Sequence, residues 1–169
     1  MVLNSTGALP RVVFVPGRDA SGAAAWPRQH GLALEFDALF LKQPDGQALD
    51  AEAVLGTLAE VPSALVAHGE GSTAAVQAAV EHPSLVRALV LCEPWLPELT
   101  APRPQGTDGA IIPGVPMLVL SGGWEPAYER TARLLAESGA EHVVAPGGHR
   151  PQDSAEGAAA IKDFLRRTA

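Results

Sequence analysis

Residues 63–80 read SALVAHGEGSTAAVQAAV. A short apolar run at 64–67 meets Gly69 and Gly71, and then an alanine-rich run continues with no proline until Pro83. An apolar run too short for a helix, a pair of glycines and a long helix-forming run predict a buried strand, a sharp turn and a helix. Such a turn sets residue 69 at the carboxyl edge of a sheet, under the amino end of the helix. What a glycine does at that point is the main functional question the chain poses.

Working outward, the same alternation recurs. Arg11–Val15 is β-branched and bounded by Pro10 and Pro16, which predicts a buried strand. A loop and a helix around Trp26 follow over 17–31, then a short strand at Asp37–Leu41 and a helix at Leu49–Ala59. After the 64–67 strand and its helix at Thr73–Glu81 come strands at Val86–Cys92 and Pro116–Leu120. A helix at Tyr128–Ser138, a strand at Glu141–Val144 and a closing helix at Ala155–Arg166 complete the set, with Ile161, Phe164 and Leu165 facing inward. Apolar strands alternating with amphipathic helices predict an α/β fold. Its expected form is a three-layer α/β/α sandwich on a mostly parallel six-stranded sheet, one domain over 1–169 with a loose tail at 1–9. Right-handed crossovers then bring every strand-to-helix loop to the carboxyl edge, where ligands bind.

Composition narrows the function classes. A net charge of -7 opposes non-specific binding to nucleic acid or anionic membrane, and no basic cluster overrides it. The one cysteine, Cys92, lies in an apolar run and reads as a buried inert thiol in a reducing compartment. The first residues lack a basic segment and a long apolar core, and no apolar run reaches spanning length. The expectation is a soluble cytoplasmic protein acting on a small molecule. His30, His68, His82, His142 and His149 show no paired ligand spacing, so no metal site is expected, and no cofactor is called for.

Four carboxyl-edge loops carry unusual residues: 16–19, 68–72, 122–126 and 147–150. They bring His68, Glu70, Glu125 and His149 to one edge. A histidine backed by a carboxylate makes an acid–base pair. The bland readings are that Glu125, ahead of Pro126, favours a helix dipole and that His149 is an ordinary polar loop residue.

In this order the four loops resemble the α/β-hydrolase superfamily over nearly the whole chain. RVVFVPGRDASGAAAW is similar to that family's first parallel strand and oxyanion loop, with Pro16 and Gly17 where His-Gly is usual and Trp26 where a tryptophan is frequent. LVAHGEGSTAA resembles the nucleophile elbow, with Ala67 and Gly71 at the small positions and Gly69 at the nucleophile position. VPMLVLSGGWEPAYERTARLL resembles the segment carrying the triad acid, and EHVVAPGGHRPQDSAEGAAAIKDFL the histidine loop. The resemblance implies His149 as base or acid and Glu125 as its orienting carboxylate. It also implies oxyanion N–H groups from Arg18 and Glu70, and a pocket near Gly17, His68 and Trp95. The family's two opening antiparallel strands are absent, and the lid is reduced to a proline-rich loop over 93–113.

Glycine at 69 cannot form an acyl-enzyme. Ser72 is expected to cap the helix or face solvent. Glu70 is a poor substitute nucleophile, because His68 stands where the elbow wants a small residue. Acid–base chemistry without a covalent intermediate remains: a lyase, isomerase, cyclase or direct-water hydrolase on a small carbonyl compound. Two alternatives stay open. One is a non-catalytic binding or scaffold module. The other is a dinucleotide binder through Gly69-x-Gly71-x-x-Ala74, with Glu93 as the acid after the next strand.

Overall fold

Strands made almost entirely of Val, Leu, Ala and Phe have no polar face to offer solvent, so both faces must be covered. The structure, a computed structural model, is described for residues 7–100 and 112–169. It does this with six parallel strands: β1 (Arg11–Val15), β2 (Asp37–Phe40), β3 (Ser63–His68), β4 (Val86–Cys92), β5 (Met117–Ser121) and β6 (Glu141–Val144). Their order is β2-β1-β3-β4-β5-β6, and every pairing is parallel. The α/β/α reading therefore holds.

Side chains alternate cleanly across the sheet. Val13, Val15, Leu65, Ala67, Leu89, Leu91 and Val119 meet α1 (Ala51–Leu58), α2 (Gly71–Glu81) and α4 (Pro126–Glu137). Val12, Phe14, Ala64, Val66, Val90, Cys92 and Leu120 meet Trp26, Leu32, Phe36 and the inner face of the closing helix, Ile161, Phe164 and Leu165. Cys92 is fully buried, and burial pushes its thiol up. It is the inert core thiol its surroundings suggest.

Local signals set the ends of the helices. The Asp50 carboxylate accepts from the Ala53 amide at 2.8 Å to open α1. A short α3 (Pro97–Thr100) lies where the sequence reads as loop, and the rest of that proline-rich loop, 101–111, is outside the described residues, as is 1–6 of the expected tail. The closing helix, α5 (Ala155–Thr168), starts on the Ser154 hydroxyl, which accepts from the Gly157 amide at 2.9 Å. The expected helix around Trp26 is instead two 3-10 turns, Gly22–Ala25 and His30–Leu34. Pro27, which lacks an amide hydrogen, and Gly22 at φ 62° prevent one continuous helix there.

The chain runs outward from β1 to β2, then returns past β1 to β3. The loops leaving β1 and β3 therefore part in opposite directions and open a crevice at their carboxyl ends. Gly71 lets the two loops close on each other. A Cβ there would stand 2.5 Å from the Pro16 carbonyl oxygen and 2.9 Å from that of Val15. Both obstacles are backbone, so neither can swing aside. Gly71→Ala is expected to destabilise the fold by about 3 kcal/mol, read as a lower urea midpoint at unchanged slope.

Candidate active site

β3 ends at His68, and the chain turns at Gly69 with φ 54°, a conformation that side chains rarely adopt. The turn is pinned twice: the Gly69 amide donates to the Cys92 carbonyl, and the Gly69 carbonyl accepts from Trp95, both at 3.0 Å. α2 begins two residues on. A Cβ built on Gly69 would lie 3.7 Å from Nε2 of His149. The loop after β6 thus aims the imidazole at the spot where a nucleophilic side chain would start.

The amides of Arg18, on the loop after β1, and Glu70, on the turn after β3, have no acceptor among the described residues. The Arg18 peptide is itself held, because its carbonyl accepts from Gln43 Nε2 at 3.1 Å. Gly17 is packed tightly against the elbow, with its Cβ direction 3.2 Å from the His68 carbonyl oxygen.

The carboxylate facing His149 is Glu93, not Glu125. Glu93 is fully buried at the end of β4, with Oε2 3.9 Å from His149 Nδ1. Its Oε1 accepts a hydrogen bond from the Gly122 amide. Oε2 and His149 Nδ1 have no hydrogen-bond partner, so two buried polar atoms face each other just beyond bonding distance. Glu125 instead caps α4, accepting from Ala127 at 3.3 Å, as the helix-dipole reading of that residue has it. The resemblance points to the acid after β5. Here that position lies at a helix start, and the carboxylate nearest the imidazole follows the preceding strand, β4.

Burial pushes the Glu93 carboxyl up to about 7, against the Gly122 amide and the Trp124 indole, which favour the charged form. Burial, and then the His68 ring beside it, push His149 below its ordinary value. The folded state thus holds a proton on Glu93 between about pH 4.5 and about pH 7, where the unfolded chain has released it. Stability therefore falls as pH rises through that window. Glu93→Gln keeps an acceptor for Gly122 and removes the titration. Its unfolding free energy, read by urea titration, is expected to fall less than that of the wild type between pH 5 and pH 8, by roughly 1–3 kcal/mol.

His68, expected at the pocket, is buried. Its side chain is 2 % exposed and lies under His149, ring centroids 4.7 Å apart, with Nε2 2.7 Å from the His149 carbonyl oxygen. Its Nδ1 lies 3.5 Å from Asp19, whose other oxygen takes Arg150 at 2.8 Å. Arg150 also binds Asp153 and the Ala25 carbonyl. His68 and then Arg150 hold the Asp19 carboxyl far below the usual range. This charged network, absent from the sequence reading, holds the histidine loop from beneath. Ser72 neither caps α2 nor faces solvent. It is fully buried in the first turn, with its hydroxyl unpartnered.

The rim is aromatic. Tyr128 packs on His149 at 5.3 Å and Trp124 edge-on at 6.2 Å, while Trp95 stands 48 % exposed beside the elbow. Glu93, the acid of the dinucleotide fingerprint, is fully buried beneath His149 rather than at the surface of the crevice.

No protein-family model and no curated protein matches the sequence. Solved structures do resemble the fold. A predicted CIB-like hydrolase from Thermoplasma acidophilum superposes with TM-score 0.74 at 15% identity, covering 99% of this chain and 90% of that one. NosK from Streptomyces actuosus gives 0.72 at 20% identity, covering 94% and 98%. A dienelactone hydrolase from Anabaena variabilis gives 0.68 at 17%, covering 95% and 85%. The likeness is one of architecture and spans nearly the whole of both chains in each case. The protein has the α/β-hydrolase fold.

Proposed function

We propose that this protein is an acid–base catalyst that forms no covalent intermediate with its substrate, a small carbonyl compound. The observation that carries the reading is the empty Cβ position of Gly69, 3.7 Å from Nε2 of His149. The space a nucleophile would fill is open to water or to the substrate itself. His149 Nε2 takes a proton there, either from a water that attacks the carbonyl or from a carbon beside it. The oxyanion or enolate that develops is held by the amides of Arg18 and Glu70 and by the amino end of α2. Glu93, once ionised, holds the Nδ1 proton of His149 and steadies the imidazolium. That contact requires closing the 3.9 Å gap, as apo sites commonly do when substrate arrives. Lyase, isomerase, cyclase and direct-water hydrolase chemistry all fit these parts.

Intact-mass measurement during turnover of a panel of carbonyl substrates tests the reading. The expected result is turnover with no acyl adduct. A stable acyl adduct on any residue would sink it. The 3.9 Å gap and the missing nucleophile also favour a second reading, a binding module that has lost catalysis. No turnover of any substrate in the panel, with the protein's biological activity left unchanged by His149→Ala, would support that alternative.

A further inference from the structure

Two tryptophans stand half in water at the rim of this site, Trp95 at 48 % and Trp124 at 52 % exposure, and neither is loosely held. The backbone of Trp95 is tied to the elbow through the Gly69 carbonyl, and its own carbonyl accepts from the Thr73 hydroxyl at 2.7 Å. The loop bearing Trp124 is clamped at both neighbouring glycines. The Gly122 amide donates to Glu93, and the Gly123 amide donates to Glu129 at 2.8 Å. Glu129 is fixed in turn by the buried Ser121 hydroxyl at 3.0 Å. Trp124 and Tyr128 lie 6.2 Å apart at 35° and present two adjoining rings over His149. Exposed rings held in place at the mouth of a site offer a ligand an aromatic surface.

Carboxyl groups gather around these rings. Glu70 follows the elbow glycine, Glu125 opens the helix turn that carries Tyr128, and Glu93 lies at the floor with Oε2 fully buried and unpartnered. Burial and then the charges of Glu70, Glu93 and Glu125 push the Tyr128 phenol up, which places all three carboxylates within electrostatic reach of that ring. The nearby bases are unequal. Arg150 is taken up by Asp19, Asp153 and the Ala25 carbonyl. Arg18, which has no acidic partner among the described residues, lies on the oxyanion loop. The site is thus polarised, with donors for a developing oxyanion at the Arg18 end and aromatic faces with carboxylates at the Trp124 end.

We propose that the substrate carries a cationic amine or ammonium group beside its carbonyl, and that Trp124 and Tyr128, flanked by Glu70 and Glu125, receive that cation. An aromatic face attracts a cation through its quadrupole, and carboxylates beside it add to the attraction while repelling an anion. The proposal rests on the preceding reading only in placing the carbonyl at His149. The binding of the cation needs no chemistry.

The test uses three soluble probes of one shape: choline, the neutral 3,3-dimethylbutan-1-ol and the anionic 3,3-dimethylbutyrate. Binding to the full chain is followed by NMR titration of the tryptophan indole signals. Choline is expected to bind about 3–10-fold more tightly than the neutral alcohol, with the Trp124 signal moving most, and the carboxylate to bind weakest. Trp124→Ala is expected to remove the preference and Glu70→Gln to reduce it. Both side chains are at least partly exposed, and a retained amide spectrum checks that the variants fold. Equal or tighter binding of the alcohol would overturn the proposal, as would shifts centred away from Trp124 or no shift with any probe at tens of millimolar. If choline preference survives in a protein without His149-dependent turnover, the catalytic reading fails and this one stands. If the preference is absent while turnover persists, the reverse holds.

Discussion

Gly69→Ser is expected to create an esterase. The serine Cβ would stand 3.7 Å from Nε2 of His149, and one further bond brings its hydroxyl within hydrogen-bond reach of that nitrogen. The base is then in place to take the hydroxyl proton as oxygen attacks an ester carbonyl, and the Arg18 and Glu70 amides are free to hold the oxyanion. Hydrolysis of an activated ester should rise about 10²-fold or more over the wild type, with an initial burst as acyl-enzyme accumulates. The change has a cost. Residue 69 sits at φ 54°, where a side chain is strained by roughly 1–2 kcal/mol. A lower melting temperature should accompany the gain. A folded variant with no burst and no rate increase would show that His149 does not face this position as described, and would remove the main support for the proposed function.

The second large effect concerns the pair that drives the histidine. Measured in the Gly69→Ser protein, so that one ester serves every variant, His149→Ala is expected to cost about 10²–10⁴ in kcat. Glu93→Gln is expected to cost a comparable ~10²–10⁴, because an amide can neither steady the imidazolium nor hold the tautomer. The pH profile distinguishes Glu93 from Glu125. With Glu93 raised to about 7 and His149 lowered, the competent form has an ionised Glu93 and a neutral His149. The rate should therefore climb as pH rises through about 7 and level above it. Glu93→Gln should abolish that limb, whereas Glu125→Gln should keep it. A limb that vanishes in the Glu125 variant and persists in the Glu93 variant would reverse the assignment. Because the two groups are close, the profile reports the pair rather than either residue alone.

Much of this was legible from local pattern. Runs such as VVFV and ALVLC can be buried on both faces only in a parallel sheet, and the glycines between strand and helix mark the sharp turn. The sequence places Gly69 and His149 on carboxyl-edge loops, because right-handed crossovers leave those loops no other edge. What it could not rank was the acids. Glu125 precedes a proline and an amphipathic run, which suits a triad acid and a helix cap equally well. Glu93 reads as a residue in a proline-rich loop, or as the acid of a dinucleotide fingerprint. An acid directly after the apolar run ALVLC, between Cys92 and Pro94, was the one available sign.

The amino-acid sequence by itself determined the layered architecture, the sharp strand-to-helix turn and the glycine at residue 69, because each follows from periodicity or from the identity of a single residue. Only the tertiary structure decided which carboxylate faces His149. β4 lies beside β5 in a register that pairs Cys92 with Leu120 and brings the Glu93 amide to the Leu120 carbonyl at 2.8 Å. With φ at 45°, residue 93 turns its side chain under the histidine loop and onto the Gly122 amide. Strand register and one left-handed residue join groups 56 positions apart in the chain, and no local pattern carries that information.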